Sequence, residues 1–533
     1  MTSRLRLLVL ALALAALVAT LVSAAPAPTE QVFRYPFREP DHPIDPTKGG
    51  TLFNGHYKAN LFEGMAETLP GGKINWTGAI GYKASDDGKT YVFTLRRGVK
   101  WSDGTPVTAQ DYEFAWKRGL DPKTANINVS NLFALKNGQA FNKGDLKDPG
   151  QVGVKARDDY TLEVALEGPT GWFLGSVAAD TVWFPVPRHA VTKHGERWTE
   201  AENIVTNGPF TIQSWRHDQQ MVLVPNPQYW REKAVVRVVI SMTNDPQSTS
   251  LAAYETGEVD WAWAPLTQLN QIRSHPVLGK ELKVAVQTAT WFTVFDVTNP
   301  PFNDGRVRRA FYLTLDRPRL TQSFLQGALR PATSLTPPGV LGHTANLPMA
   351  GGVPEGRRLM AEAGFPDGRG FPAATYTTPN LTEDRIVAEA LQQMWKQALN
   401  VNVQIELLER RAFQSWRSAR RTQPYHMHYG GWTVSFADAS PFHNGMLTSQ
   451  IDRQNHKWRN PKYEELIWRG AVTLDPPKRR QLYEEAERIV ALDAPIIPWG
   501  YRTKPYLLKP YVQGFETHSS GWVDLFRKVR IVR

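Results

Sequence analysis

Ala373-Ala-Thr-Tyr-Thr-Thr378, then residues 383–398, then Val401-Asn-Val-Gln-Ile-Glu-Leu407, make up the stretch that decides the fold class. The first piece is short and rich in β-branched and aromatic residues, as a strand is. In the second, Ile386, Val387, Ala390, Leu391, Met394, Trp395 and Ala398 recur at three- and four-residue spacing and form one apolar helical stripe. In the third, Val401, Val403, Ile405 and Leu407 alternate with polar residues. Strand, helix and strand with short connections predict a parallel pair joined by a right-handed crossover. The class is α/β.

The same grammar extends outward. After the Asp87-Gly88 turn, Tyr91, Phe93 and Leu95 alternate as on a strand, and Thr108-Ala-Gln-Asp111 has the form of a capping box opening a helix through Tyr112, Ala115 and Trp116. Further helices are expected over 307–315, over 355–363 with Gly364 as C-cap, and over 478–492. A chain of 533 residues exceeds one hydrophobic core, so two or three lobes are expected. Their crossings are placed near 203–208, 287–292 and 500–506.

The N-terminus reads Arg4 and Arg6, an apolar run over 7–22, then Ser23-Ala24-Ala25. These are the parts of a secretory signal peptide, expected to be cleaved after Ala24 or Ala25. Removing it takes Arg4 and Arg6 and lowers the formal charge from +11 to +9. The remaining basic residues are dispersed, which with export argues against nucleic acid as partner. With no cysteine there is no disulfide, no thiolate metal ligand and no lipid-bearing Cys after the signal. A soluble, monomeric protein, periplasmic or secreted, is expected.

Catalytic signatures are missing: no phosphate-binding Gly loop, no His-Glu-x-x-His and no Gly-x-Ser-x-Gly occurs. The acidic pairs Asp86-Asp87 and Glu484-Glu485 sit in a turn and on a charged helix face, without facing geometry. His426 and His428 share one face of an expected strand, with His443 and His456 nearby, and ordinary strand alternation accounts for them better than a metal does. Neither an enzyme nor a cofactor is expected. Eighteen Trp are the compositional anomaly, suiting both core packing and an aromatic cleft.

Several motifs in one order carry a resemblance: Leu61-Phe62-Glu63-Gly64, Gly98-Val-Lys-Trp101-Ser-Asp-Gly-Thr-Pro-Val-Thr-Ala109-Gln-Asp111, Asn207-Gly208-Pro209-Phe210, Asn299 to Ala310, Glu362 to Gly368 and Ala494 to Pro498. Together they resemble the family 5 extracellular solute-binding proteins, the oligopeptide- and dipeptide-binding proteins of ABC importers. The resemblance implies a periplasmic-binding-protein-like cluster C fold: two lobes that close on a ligand plus an inserted domain. It divides the chain into a signal at 1–25, lobe I at 26–58, 204–290 and 503–533, lobe II at 59–203 and lobe III at 291–502. It also implies capture of a peptide, or of another small solute such as an oligosaccharide, an opine-like compound or a chelated metal, for delivery to an ABC permease.

Carried over residue by residue, the resemblance places Gly50, Thr51, Leu52 and Phe53 in a loop that meets the ligand backbone, and Asn128 where some members place a Tyr. On the other wall it places Gly431, Trp432, Thr433, Ser435 and Asp438 in the ligand segment. Where the family has an Asp that pairs with the ligand's amino terminus, this chain has Ser435. Asp438 matches a second acidic position that is expected to face elsewhere. A hydroxyl brings no opposite charge to a buried ammonium, so free and blocked amino termini are expected to be taken alike.

Overall fold

The computed structural model describes residues 30–533 apart from 70, 71, 244, 245, 346, 348–350, 519, 521 and 522, so the signal segment 1–25 lies outside the described residues. The strand, helix and strand of the deciding stretch form at Ala374–Pro379, Thr382–Leu399 and Val403–Leu408, and the two strands pair in parallel from Ala374 with Val403 to Pro379 with Leu408. Val387, Ala390, Leu391, Met394 and Trp395 of the helix are buried. Its end is turned by Asn400 in the left-handed region, φ 56°.

Among the described residues, three sheets organise the chain. A four-stranded sheet carries Val32–Phe37, Arg237–Met242, Gln220–Pro225 and Phe210–Arg216; another carries Ala79–Ala84, Thr90–Leu95, Thr161–Ala165 and Val154–Asp158. The third runs Trp261–Trp263, Ile496–Leu508, Leu282–Phe295, Met427–Thr433, Ala374–Pro379 and Val403–Leu408, with Leu329–Pro331 added against Ile496–Leu508. The parts built on these sheets are the first, second and third lobes. The helices expected at 307–315, 355–363 and 478–492 stand at Gly305–Leu313, Gly352–Glu362 and Pro476–Asp493.

Two motifs prove to be one structural staple in the range expected as the crossing between the first and second lobes. Gly208 N–H donates to the Leu61 carbonyl at 2.9 Å, and the Asn207 carboxamide accepts from Glu63 N–H at 3.0 Å and donates to the Glu63 carbonyl at 2.8 Å. A Cβ on Gly208 would stand 2.6 Å from the Leu61 carbonyl carbon, so only glycine permits this approach. Glu63 in turn accepts from Tyr229 Oη at 3.0 Å, Trp230 Nε1 at 2.7 Å and Arg231 at 2.8 Å. The capping box is present as well, with Thr108 N–H donating to Asp111 at 2.9 Å at the head of the helix Ala109–Leu120.

The ranges expected as the other two crossings, 287–292 and 500–506, fall on long strands. Leu282–Phe295 and Ile496–Leu508 pair antiparallel, and their register shifts between Val286 and Thr290 and again between Trp291 and Phe292. Such irregularities bend a strand and break its ladder locally, which suits a hinge. Of the eighteen Trp, Trp101, Trp116, Trp183, Trp198, Trp261, Trp395 and Trp499 are fully buried, so core packing takes a large share of them. Leu251, Tyr254, Leu269 and Ile272, expected with lobe I, pack into the apolar core of the third sheet.

Candidate functional site

The wall of the first lobe is pinned from behind. Gly50 N–H donates to the Asn128 side chain at 2.7 Å, so these two expected site residues do meet. Beneath them the buried Lys58 ammonium donates to the Gly49 carbonyl. Burial holds Lys58 down at about 8, against the pull of Asp45 and Asp41. Thr51 Oγ1 donates to Asp41 at 2.9 Å. Leu52 and Phe53, expected in a loop, instead open the helix Leu52–Leu61, and the Phe53 ring lies under the Arg38 guanidinium at 4.1 Å.

Asn128 leads directly to the seam between the second and third lobes. It caps the short turn Val129–Ala134, and Asn131 in that turn donates its amide to Asp180 at 3.2 Å. Asp180 follows the helix Phe173–Ala179 and also accepts from Ser176 Oγ at 3.0 Å. From the third lobe, the Ser435 hydroxyl faces the same carboxyl and favours its ionised form. Burial holds that carboxyl above its ordinary range, opposed by the Ser435 and Ser176 hydroxyls. Beside it Trp172 stacks on Phe436, centroids 6.1 Å apart and planes 22° from parallel. Farther along, Gly171 N–H donates to the Ala471 carbonyl at 2.8 Å.

In the third lobe, Gly431, Trp432 and Thr433 end the strand Met427–Thr433, paired with Trp291, Thr290 and Ala289. A Cβ on Gly431 would stand 3.1 Å from the Trp291 ring, so glycine lets the indole lie against the strand. Trp432 keeps part of its surface exposed, has Arg453 at 5.6 Å from its ring and leaves its buried indole N–H without a partner. Asp438 turns inward: it is 4% exposed, pairs with Arg479 at 2.9 Å and accepts from Ser440 N–H at 2.9 Å. Its carboxylate is therefore taken up inside the third lobe rather than presented at the seam with Ser435. The structure thus brings Gly50, Asn128 and Ser435 into one connected chain of contacts, with Trp432 and Thr433 leading into it.

The histidines have ordinary partners. His428 lies between the carbonyls of Tyr429 and Gln454, His443 beside Tyr463 and Glu487, and His456 beside Asp452. Among the described residues no group of three His, Cys, Asp or Glu is placed to hold a metal. Asp180, Asn131 and Trp172 were not legible as site residues, since Ala179-Asp180-Thr181 belongs to no motif. No helix of the described residues is long and apolar enough to cross a membrane.

Comparison with known proteins closes the case for kinship. The model for bacterial extracellular solute-binding proteins, family 5, middle part, matches residues 65–454. The chain is 35% identical to the probable deoxycholate-binding periplasmic protein YgiS of Escherichia coli over 93% of this chain and 92% of that one. It is 31% identical to the periplasmic oligopeptide-binding protein OppA of Salmonella typhimurium over 89% and 87%. The solved unliganded open form of the periplasmic murein tripeptide-binding protein MppA superposes with a TM-score of 0.81 at 28% identity, covering 95% of this chain and 98% of that one.

Proposed function

The chain belongs to the bacterial extracellular solute-binding proteins, family 5, and from that premise we propose that it captures peptides in the periplasm, as a monomer, and delivers them to an ABC permease. The observation that carries this reading is the seam. There the Gly50 and Asn128 wall connects through Asn131 and Asp180 to Ser435, just past the strand end at Thr433. An extended ligand can give its backbone N–H and C=O groups to such elements, and its side chains need meet only hydrated space. Affinity then depends little on side-chain identity. Closure follows from differential affinity: a solute touching two lobes favours the state in which both touch it.

One observation favours a second solute class. Ser435 carries no charge and Asp438 is held by Arg479, so the third lobe presents no carboxylate at this segment. A relative described as probably deoxycholate-binding is consistent with transport of a non-peptide solute by the same device. Denaturing mass spectrometry of whatever co-purifies with the exported protein separates the two. Peptides of mixed sequence support the first reading; a single non-peptide compound overturns it in favour of the second.

A further inference from the structure

Asp180 is held in a place that is electrostatically poor for it. It stands at the C-terminal end of the helix Phe173–Ala179, where the peptide dipoles disfavour a negative charge, and although it also opens the short turn Thr181–Trp183 its side chain does not cap that turn. Its contacts are the Ser176 hydroxyl at 3.0 Å, the Asn131 amide at 3.2 Å and the Ser435 hydroxyl across the seam, all of them neutral. Several enclosed carboxylates of this chain hold a cation: Asp45 has Arg118, Glu63 has Arg231, Asp296 has Lys457, Asp438 has Arg479 and Asp524 has Lys504. Asp111, Glu281 and Asp384 have no ion pair either, but each is buried, whereas Asp180 keeps part of its surface exposed. Among the described residues no Lys, Arg or His comes within ion-pair distance of Asp180.

The surroundings make this a solvent-reached site rather than a core fault. Asp180, Asn131, Trp172 and Ser435 each keep part of their surface exposed, and the stacked pair Trp172 and Phe436 walls one side. A carboxylate that is partly desolvated and offered only neutral donors attracts a cation from outside the chain, because a charge-assisted hydrogen bond there is worth more than in water. We propose that Asp180 is a specificity residue of the seam, selecting solutes that carry an ammonium group, which Asp180 pairs with while Ser435 accepts a second hydrogen bond from it. The proposal rests on the reading of the seam as the solute site. It moves the charge that reads the solute from the third lobe to the second, and so replaces the expectation from Ser435 alone that free and blocked amino termini are taken alike.

The test uses the full mature protein, stripped of bound solute by unfolding and refolding, and calorimetry with three probes: trialanine, N-acetyl-trialanine and deoxycholate. The acetylated peptide keeps the backbone and loses the cation. Wild type is expected to bind trialanine at least tenfold more tightly than the acetylated form. Asp180→Asn is expected to abolish that preference while its affinity for the acetylated peptide stays within about threefold of wild type. Equal binding of both peptides by wild type, or a preference that survives in Asp180→Asn, overturns the role of Asp180 and leaves the peptide reading standing. Refusal of both peptides, with or without capture of deoxycholate, overturns the two together. If the Asn variant melts well below wild type, Asp180→Ser, which leaves a small hydroxyl, replaces it under the same criteria.

Discussion

Two carboxylates lie on either side of the segment that follows Trp432, and they are housed in opposite ways. Asp438 in the third lobe is buried and locked to Arg479, which also donates to the Thr473 carbonyl and so steadies the loop that meets Gly171. Asp180 in the second lobe keeps a minor part of its surface exposed and meets only hydroxyl and amide donors. Sequence proximity to the ligand segment therefore does not decide which acid is free to act. Counter-ion and exposure decide together: a buried acid is a structural part whether a cation holds it, as for Asp438, or neutral donors do, as for Asp111, and a partly exposed one without a cation is an open valence at the seam.

The comparison can be broken at its structural end first. Arg479→Met leaves Asp438 buried without a partner, and the expected loss of stability is about 3–5 kcal/mol, read from urea unfolding. Asp180→Asn is expected to change stability by less than about 1 kcal/mol in the same assay. Similar losses in both variants would erase the distinction.

A next-largest effect concerns the wall of the first lobe, where Lys58 supports Gly49 and Gly50. Its folded value of about 8 lies below the ordinary 10.5, so between those pH values the unfolded chain binds this proton more readily. Stability should therefore rise with pH across that window, by about 3 kcal/mol in total from this group. Comparing wild type with Lys58→Met checks it: the variant should lose that slope. An identical slope in both would mean that Lys58 does not titrate there.

Trp432 comes third. Trp432→Ala is expected to weaken solute binding by about 1–3 kcal/mol by calorimetry, with ligand-induced tryptophan fluorescence change reduced. Normal binding with lowered stability instead would make the indole a core residue, in keeping with its contacts to the Phe442 and Met446 cluster.

What was legible in the sequence was what is encoded locally. The stripe from Ile386 to Ala398 and the box from Thr108 to Asp111 involve residues three or four apart, and the structure returns both. The helix Leu52–Leu61 was not legible, because Asn54 and Gly55 are weak helix formers and the turn is imposed by tertiary packing of Tyr57 and Leu61. Gly50, Asn128 and Ser435 were singled out in the sequence by their positions relative to family motifs, and the structure links Gly50 to Asn128 directly. Asp180 was not, since nothing in its own neighbourhood marks it and its significance arises only when the second lobe meets Ser435. The inward turn of Asp438 depends likewise on Arg479 in a distant helix.

The account stands or falls on the seam as a closing trap. Small-angle scattering of the solute-stripped protein, titrated with the solute that mass spectrometry identifies, measures that directly. A radius of gyration that falls on saturation, with a fall that tracks the calorimetric binding curve, is the predicted result. An unchanged radius at full occupancy would contradict capture by closure of the first and third lobes.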